Sequence, residues 1–148
     1  MRLGFTDTMT AAVREAEEEA RRLGQETVGA EHLLLGILDQ KSGEAMRTLA
    51  SAVNVAQLRR LLDKKLPHAA EPSMVTGRLS FSPLTQEAIN SAISAAQGAG
   101  MAKVSTRFVL AALLEDPPLA VVESLRAAGA DLDDLAAQLR RPADDEEV

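Results

Sequence analysis

Apolar residues recur along this chain at three- and four-residue steps, and the pattern is written out twice. Between Asp7 and Leu23, the residues Ala12, Val13, Ala16, Ala20 and Leu23 follow that step while charges fill the other positions. This is the period of an amphipathic helix. Thr6 can cap it, and Asp7 lies close to its positive end. Glu15, Glu17, Glu18 and Glu19, with Arg21 and Arg22, are expected to form a solvated face carrying i,i+3 and i,i+4 pairs. Gly24 can stop the helix. A second helix, about Ala30 to Asp39, carries Leu33, Leu34, Leu35, Ile37 and Leu38 around so much of its circumference that it must lie near the centre. After Ser42-Gly43, a third runs about Glu44 to Ala52 with Ala45, Met46 and Leu49 inward. A fourth, about Ala56 to Leu66, buries Leu58, Leu61 and Leu62.

Pro67, Pro72, Ser73 and Gly77 mark a linker over about residues 67–80. Then the pattern restarts. Ser82 is the expected N-cap of a long helix from Pro83 to about Gln97, with proline at the first helical position. Gly98-Ala99-Gly100 ends it. A second central helix follows from Ser105 or Thr106 to Glu115, then helices of about Leu119–Ala128 and Leu132–Arg141, with Gly129 as C-cap between them. Aligned without a gap at a spacing of 76, Phe5–Leu38 and Phe81–Leu114 share Phe5, Ala12, Ala16, Ala20, Gly24, Val28, Leu34 and Leu38. Five of these step by four, so the shared residues are largely a stripe of small residues and the turn beyond it. Such a long-range echo is an internal duplication. The predicted fold is all-α: eight helices as a pseudo-twofold tandem of two four-helix repeats. The whole reads as one domain over 1–141 (repeat one about 1–66, repeat two about 81–141), with an acidic, solubilising tail at 142–148.

Composition narrows the function. The apolar 46% is mostly Ala, Leu and Val, and only 2% of residues are aromatic, which suits close helix packing. Without cysteine there is no disulfide, thiolate nucleophile or Cys-based metal site. A net charge of −6 opposes nucleic acid and anionic membranes. The first residues lack a signal-peptide core, and no apolar run is long enough to span a membrane, so a cytoplasmic protein is expected.

Chemistry is sparse. There is no G-x-S-x-G, no P-loop and no H-E-x-x-H, and His32 and His68 lie far apart. The carboxylates fall on faces expected to be exposed. No catalytic residue, cofactor or metal is assigned, and an enzyme is not expected. A basic cluster, Arg59, Arg60, Lys64 and Lys65, supports only a small nucleic-acid patch. The remaining candidate surface is the start of each central helix, where unpaired N–H groups attract anions. Glu31 there can serve the helix dipole. His32, flanked by leucines, reads as a packed, hydrogen-bonded histidine.

The run Gly29-Ala30-Glu31-His32-Leu33-Leu34-Leu35-Gly36-Ile37-Leu38 closely resembles the G-T-E-H-[IL]-L-L-G-L motif of the Clp amino-terminal repeat. That repeat forms the N-domain of ClpC- and ClpA-type AAA+ unfoldases. Phe5-Thr6-Asp7, Phe81-Ser82-Pro83 and Leu125-x-x-x-Gly129-x-x-Leu132 are similar to the family pattern too, and the resemblance covers about Met1 to Leu139. It implies a non-enzymatic module that docks substrates and adaptors for a ClpC-type unfoldase, with recognition of phosphoarginine by a glutamate in each repeat. On this sequence the implied positions are Ala30, Glu31 and His32, and Thr106 and Arg107. Arg107 stands where glutamate is usual, which would repel a guanidinium and alter the second site. The resemblance also implies a face for cyclic-peptide antibiotics at Arg2, Val13, Phe81, Gln86 and Ile89, with Arg2 and Gln86 departing from the residues usual there. The divergent second motif and the acidic tail favour a free-standing decoy or adaptor. The alternative is the N-domain of a full-length ClpC-type ATPase.

Overall fold

A computed structural model describes residues 3–142 and 147–148. Among them are eight helices: α1 (Asp7–Arg22), α2 (Ala30–Leu38), α3 (Glu44–Ala52), α4 (Val55–Lys65), α5 (Pro83–Gly98), α6 (Thr106–Leu113), α7 (Leu119–Ala127) and α8 (Leu132–Arg140). Side-chain caps explain many of the starts. Thr6 Oγ1 accepts from the Met9 N–H, Ser82 Oγ from Thr85, Asn54 Oδ1 from Gln57 and Asp131 Oδ1 from Asp134. Gly24, Gly100 and Gly129 follow α1, α5 and α7 with positive φ, the left-handed geometry that ends a helix.

The centre is built from α1 against α2 and, in the second half, α5 against α6. Met9, Ala12, Ala16 and Ala20 are completely buried on α1, as are Leu33 and Leu35 on α2 and Ala92, Ala96, Val109 and Leu110 on α5 and α6. The small-residue stripe lets the helices approach closely: a Cβ on Gly36 would stand 2.2 Å from the Ala12 carbonyl oxygen. The outer helices cross between halves. α3 packs on α6 and α8 of the second half, while α4 packs on α7.

Two short pairings that hydrophobic periodicity does not announce join the halves. β1 (Thr27–Val28) runs parallel to β2 (Ser80–Phe81), with Val28 opposite Phe81, and Phe5 bridges to Val104. The spacing of 76 maps each pairing onto the other. The Thr6 N–H donates to the Val104 carbonyl at 3.1 Å, and its counterpart Ser82 donates to the Val28 carbonyl at 3.0 Å. The shared Phe and Val are thus the residues by which each repeat holds the other's central helix.

The glutamates of α1 correct one expectation. Arg21–Glu18 and Arg22–Glu19 do pair at 2.6 and 2.8 Å. Glu17 and Glu19 are nevertheless buried rather than solvated, and each meets a cation from outside α1, Arg78 at 3.7 Å from Glu17 and Arg59 at 2.9 Å from Glu19. Cations from distant elements close over that face.

Candidate functional site

The two tips that the duplication makes equivalent are built from opposite chemistry. At the second tip, three helix starts converge. α6 begins at Thr106, α3 begins at Glu44 after Gly43, and the first turn of α1 supplies Thr6 and Thr8. Between them lies the Glu147 carboxylate. One of its oxygens accepts from the Thr106 N–H at 2.8 Å and from the Thr6 hydroxyl. The other accepts from the Glu44 N–H at 3.0 Å and from the Thr106 hydroxyl. The adjoining Val148 carbonyl accepts from the Thr8 N–H and hydroxyl, both at 3.0 Å. The Thr106 hydroxyl is held in place by the Ala45 N–H, which donates to it at 3.0 Å. Helix starts carry partial positive charge and unpaired donors, so this notch is suited to an anion. Gly43 is required there twice over: its φ is 117°, and a Cβ would lie 2.8 Å from a Glu147 oxygen.

Arg107 does not face this notch. It is 7% exposed, and its Nε donates to Glu44 Oε1 at 3.0 Å. The same oxygen accepts from the Ser105 hydroxyl at 3.0 Å. One guanidinium nitrogen donates to the Leu139 carbonyl at 3.1 Å, and the plane stacks 4.0 Å over the Phe108 ring. The residue expected to repel a guanidinium is an internal brace joining α3, α6 and α8, with its charge offset by Glu44. Glu44 itself departs from the expectation that the carboxylates lie on exposed faces: it is 4% exposed.

At the first tip Ser82 keeps the hydroxyl of Thr6, but the other matching positions are apolar. Ala30 replaces Thr106, Leu84 replaces Thr8, and Pro118 caps α7 where Gly43 caps α3. Neither Pro83 nor Pro118 has an N–H to offer. A cleft of about 280 Å³ opens beside Ala30, lined by Leu84, Pro117 and Pro118 with Glu87, Glu115 and Asp116. Leu84 and the adjacent Leu119 are 70% and 71% exposed. Glu31 lies half-buried in the first turn of α2. His32 is buried as the packed histidine that was expected, and its Nδ1 accepts from the Gly29 N–H at 2.9 Å. Burial holds its imidazole below the usual histidine range, against the opposing pull of the Glu31 and Glu19 carboxylates.

The face carried by Val13, Phe81 and Gln86 is a separate shallow cleft of about 450 Å³, bordered by Glu17 and Arg78. Ile89 is buried, and Arg2 lies outside the described residues. The basic cluster on α4 is partly neutralised: Arg59 pairs with Glu19 at 2.9 Å and Asp39 at 2.6 Å, and Lys65 pairs with Glu123 at 2.9 Å. The acidic tail is only partly as expected. Residues 143–146 lie outside the described residues, but Glu147 is docked rather than solvated.

Sequence reasoning missed Thr8, Glu44 and Glu147 as parts of the second tip, and took Thr6 for a cap alone. A faint signal was present in Ser42-Gly43-Glu44, a break whose glycine and acid precede an apolar helix.

The chain matches the profile of the Clp repeat (R) N-terminal domain twice, over residues 4–84 and 80–147. It belongs to that family. The chloroplastic chaperone protein ClpC3 of Oryza sativa subsp. japonica is 30% identical over 118 residues, covering 80% of this chain and 13% of that protein. The chain thus spans only a small part of the length of that relative. Its fold is shared with the N-terminal domain of ClpD from Arabidopsis thaliana, at a TM-score of 0.70, 19% identity and 91% coverage of both chains. It is shared as well with a ClpV N-domain solved in complex with a VipB peptide, at a TM-score of 0.66, 14% identity, and coverage of 90% and 88%. No described helix is long and apolar enough to cross a membrane.

Proposed function

We propose that this Clp N-domain is a non-enzymatic docking module that engages protein substrates or adaptors of a ClpC-type unfoldase through the tips of its two repeats. The observation that carries this reading is the carboxylate held among the N-terminal donors of α1, α3 and α6. Its oxygens stand in for the carboxylate or phosphate of a bound side chain. The first tip offers the complementary chemistry: Glu87, Glu115 and Asp116 line its cleft, Glu31 follows Ala30 in the first turn of α2, and the hydroxyls of Thr106 and Thr8 have no counterpart there. A phosphoarginine side chain bears a phosphoryl group bonded directly to its guanidinium, so one such side chain fits a single tip. Thr106 and the neighbouring amides suit its phosphate, while Arg107 is turned inward and leaves no cation there to repel its guanidinium. At the first tip, beside Ala30 and His32, Glu31 suits the guanidinium of a separate arginine of the peptide. The cleft at Val13, Phe81 and Gln86, with Ile89 beneath it, is the place proposed for a cyclic peptide. A decoy or adaptor role in the cytoplasm, alongside a ClpC-type unfoldase, is part of the same proposal.

The test is a titration of the isotope-labelled chain with an arginine-phosphorylated peptide and its unphosphorylated twin. Phosphate-dependent shifts are expected at the Thr106 and Glu44 amides, weakened by Thr106→Ala, with a second set near Glu31 weakened by Glu31→Gln. No phosphate-dependent response at either tip would sink the reading. Capture of a ClpC-type unfoldase or its adaptors in pull-down tests the partner.

A further inference from the structure

The notch at the second tip is already filled, and its occupant comes from this same chain. Glu147 makes four hydrogen bonds there, two from backbone N–H groups and two from threonine hydroxyls, and Val148 adds two more to Thr8. An exposed acidic segment with no role would not need a glycine of φ 117° beneath its carboxylate. Nor would it find one hydroxyl, that of Thr106, oriented toward it by a backbone donor from another helix. The donors that an incoming anion would use at this tip are therefore committed to Glu147 and Val148.

The geometry points to a built-in competitor: the Glu147–Val148 segment is an autoinhibitory ligand of the α1/α3/α6 notch, displaced when a peptide brings its own carboxylate or phosphate. This rests on the reading of the notch as a ligand site and adds its regulation. Only residues 141–146 separate α8 from Glu147. A tether that short gives an effective concentration of roughly millimolar order, enough to hold a weak carboxylate contact closed. Ligand affinity then falls by the fraction of molecules with an open notch, about tenfold if the segment is seated nine-tenths of the time. The competition is selective. It screens out single weak acids and admits ligands that gain from a second contact elsewhere on the domain.

The experiment compares the 148-residue chain with Glu147→Ala, using Glu71→Ala as a control of equal charge change on an exposed residue away from the notch. Two readouts are taken. The first, without ligand, is the proton shift of the Thr106 and Glu44 amides. Both should move upfield in Glu147→Ala and stay put in Glu71→Ala, and unchanged shifts in Glu147→Ala overturn the inference whatever else binds. The second is the affinity for an arginine-phosphorylated peptide, for an unphosphorylated glutamate-bearing peptide and for inorganic phosphate. About tenfold tighter binding of the phosphopeptide to Glu147→Ala, but not to Glu71→Ala, is expected; the other two probes distinguish a carboxylate from a phosphate preference. Equal affinity in all three chains leaves the notch a ligand site and removes the competitor. Absence of binding to every chain, with the amide shifts moved, removes the ligand site and the competition that depends on it.

Discussion

Gly36→Ala is the sharpest test of how the two central helices of the first repeat fit together. The added Cβ would lie 2.2 Å from the Ala12 carbonyl oxygen, 2.9 Å from the Ala16 nitrogen and 3.1 Å from the Ala16 Cβ. Ordinary contact begins near 3.4 Å, so α1 and α2 must part by about an ångström. Two of the three obstructing atoms are backbone and cannot rotate aside. Overpacking a core costs about 1–3 kcal/mol, and rigid neighbours put this case at the upper end. Alanine's better helix propensity returns up to about 1 kcal/mol. The net is a loss of about 2 kcal/mol, which for a chain of this size lowers Tm by about 4–8 °C. The assay is thermal and urea unfolding followed by circular dichroism. Gly98→Ala serves as the control, because nothing lies within 4 Å of a Cβ there; it should leave stability unchanged or raise it by up to about 1 kcal/mol. A Gly36→Ala protein as stable as the parent would refute the close approach, and with it the explanation of the Ala12–Ala16 stripe.

Two further outcomes follow from buried charge. Glu44→Ala strands the Arg107 guanidinium, which is almost fully buried, and should cost about 3–5 kcal/mol in urea unfolding. The double variant with Arg107→Met should recover much of that loss, since no charge then remains unpaired; equal loss in single and double variants would count against the brace. His32 should make stability depend on pH. Its folded pKa lies below its unfolded value near 6.5, so the unfolded chain binds the proton more readily. The contribution is intact above pH 6.5 and is lost as pH falls from there toward the folded value. His32→Asn keeps an acceptor for the Gly29 N–H without titrating, so the parent should weaken relative to it below pH 6.5. Comparison at each pH removes the contribution of Asp39, whose carboxyl burial pushes up to about 6 against the pull of Arg59 and which titrates in the opposite sense. Parallel pH profiles would exclude His32.

Most of the scaffold was legible because local rules and global fold agree. Helix periodicity, hydroxyl and Asx caps, and glycines after α1, α5 and α7 placed the helices to within a residue or two. The spacing of 76 located the repeat before any contact was known. What escaped were relations between residues far apart in sequence. Nothing in the periodicity of α1 says that Arg59 and Arg78 will cover Glu19 and Glu17. Glu44 and Arg107, 63 positions apart, each look like a surface charge until α3 crosses to the second half and brings them within 3.0 Å. Glu147 is equally silent in sequence, one acid in an acidic run. Its partners, Thr6, Glu44 and Thr106, come from three helices that only the tertiary fold assembles.

That limit bears on the tips themselves. Read alone, Thr106-Arg107-Phe108 against Ala30-Glu31-His32 suggests a second site lost by substitution. In the folded chain the apparent loss is a redistribution. Arg107 turns its cation inward to Glu44, while the Thr106, Glu44 and Thr8 donors hold the Glu147–Val148 segment. The first tip lacks the hydroxyls of Thr106 and Thr8, replaced by Ala30 and Leu84, and lines its cleft with Glu87, Glu115 and Asp116. A duplicated scaffold with identical tips can only repeat one contact. Under the docking proposed above, a peptide with a cationic and an anionic side chain would meet each charge at a different tip, and swapping Thr106 for alanine should cost such a peptide only its anionic half.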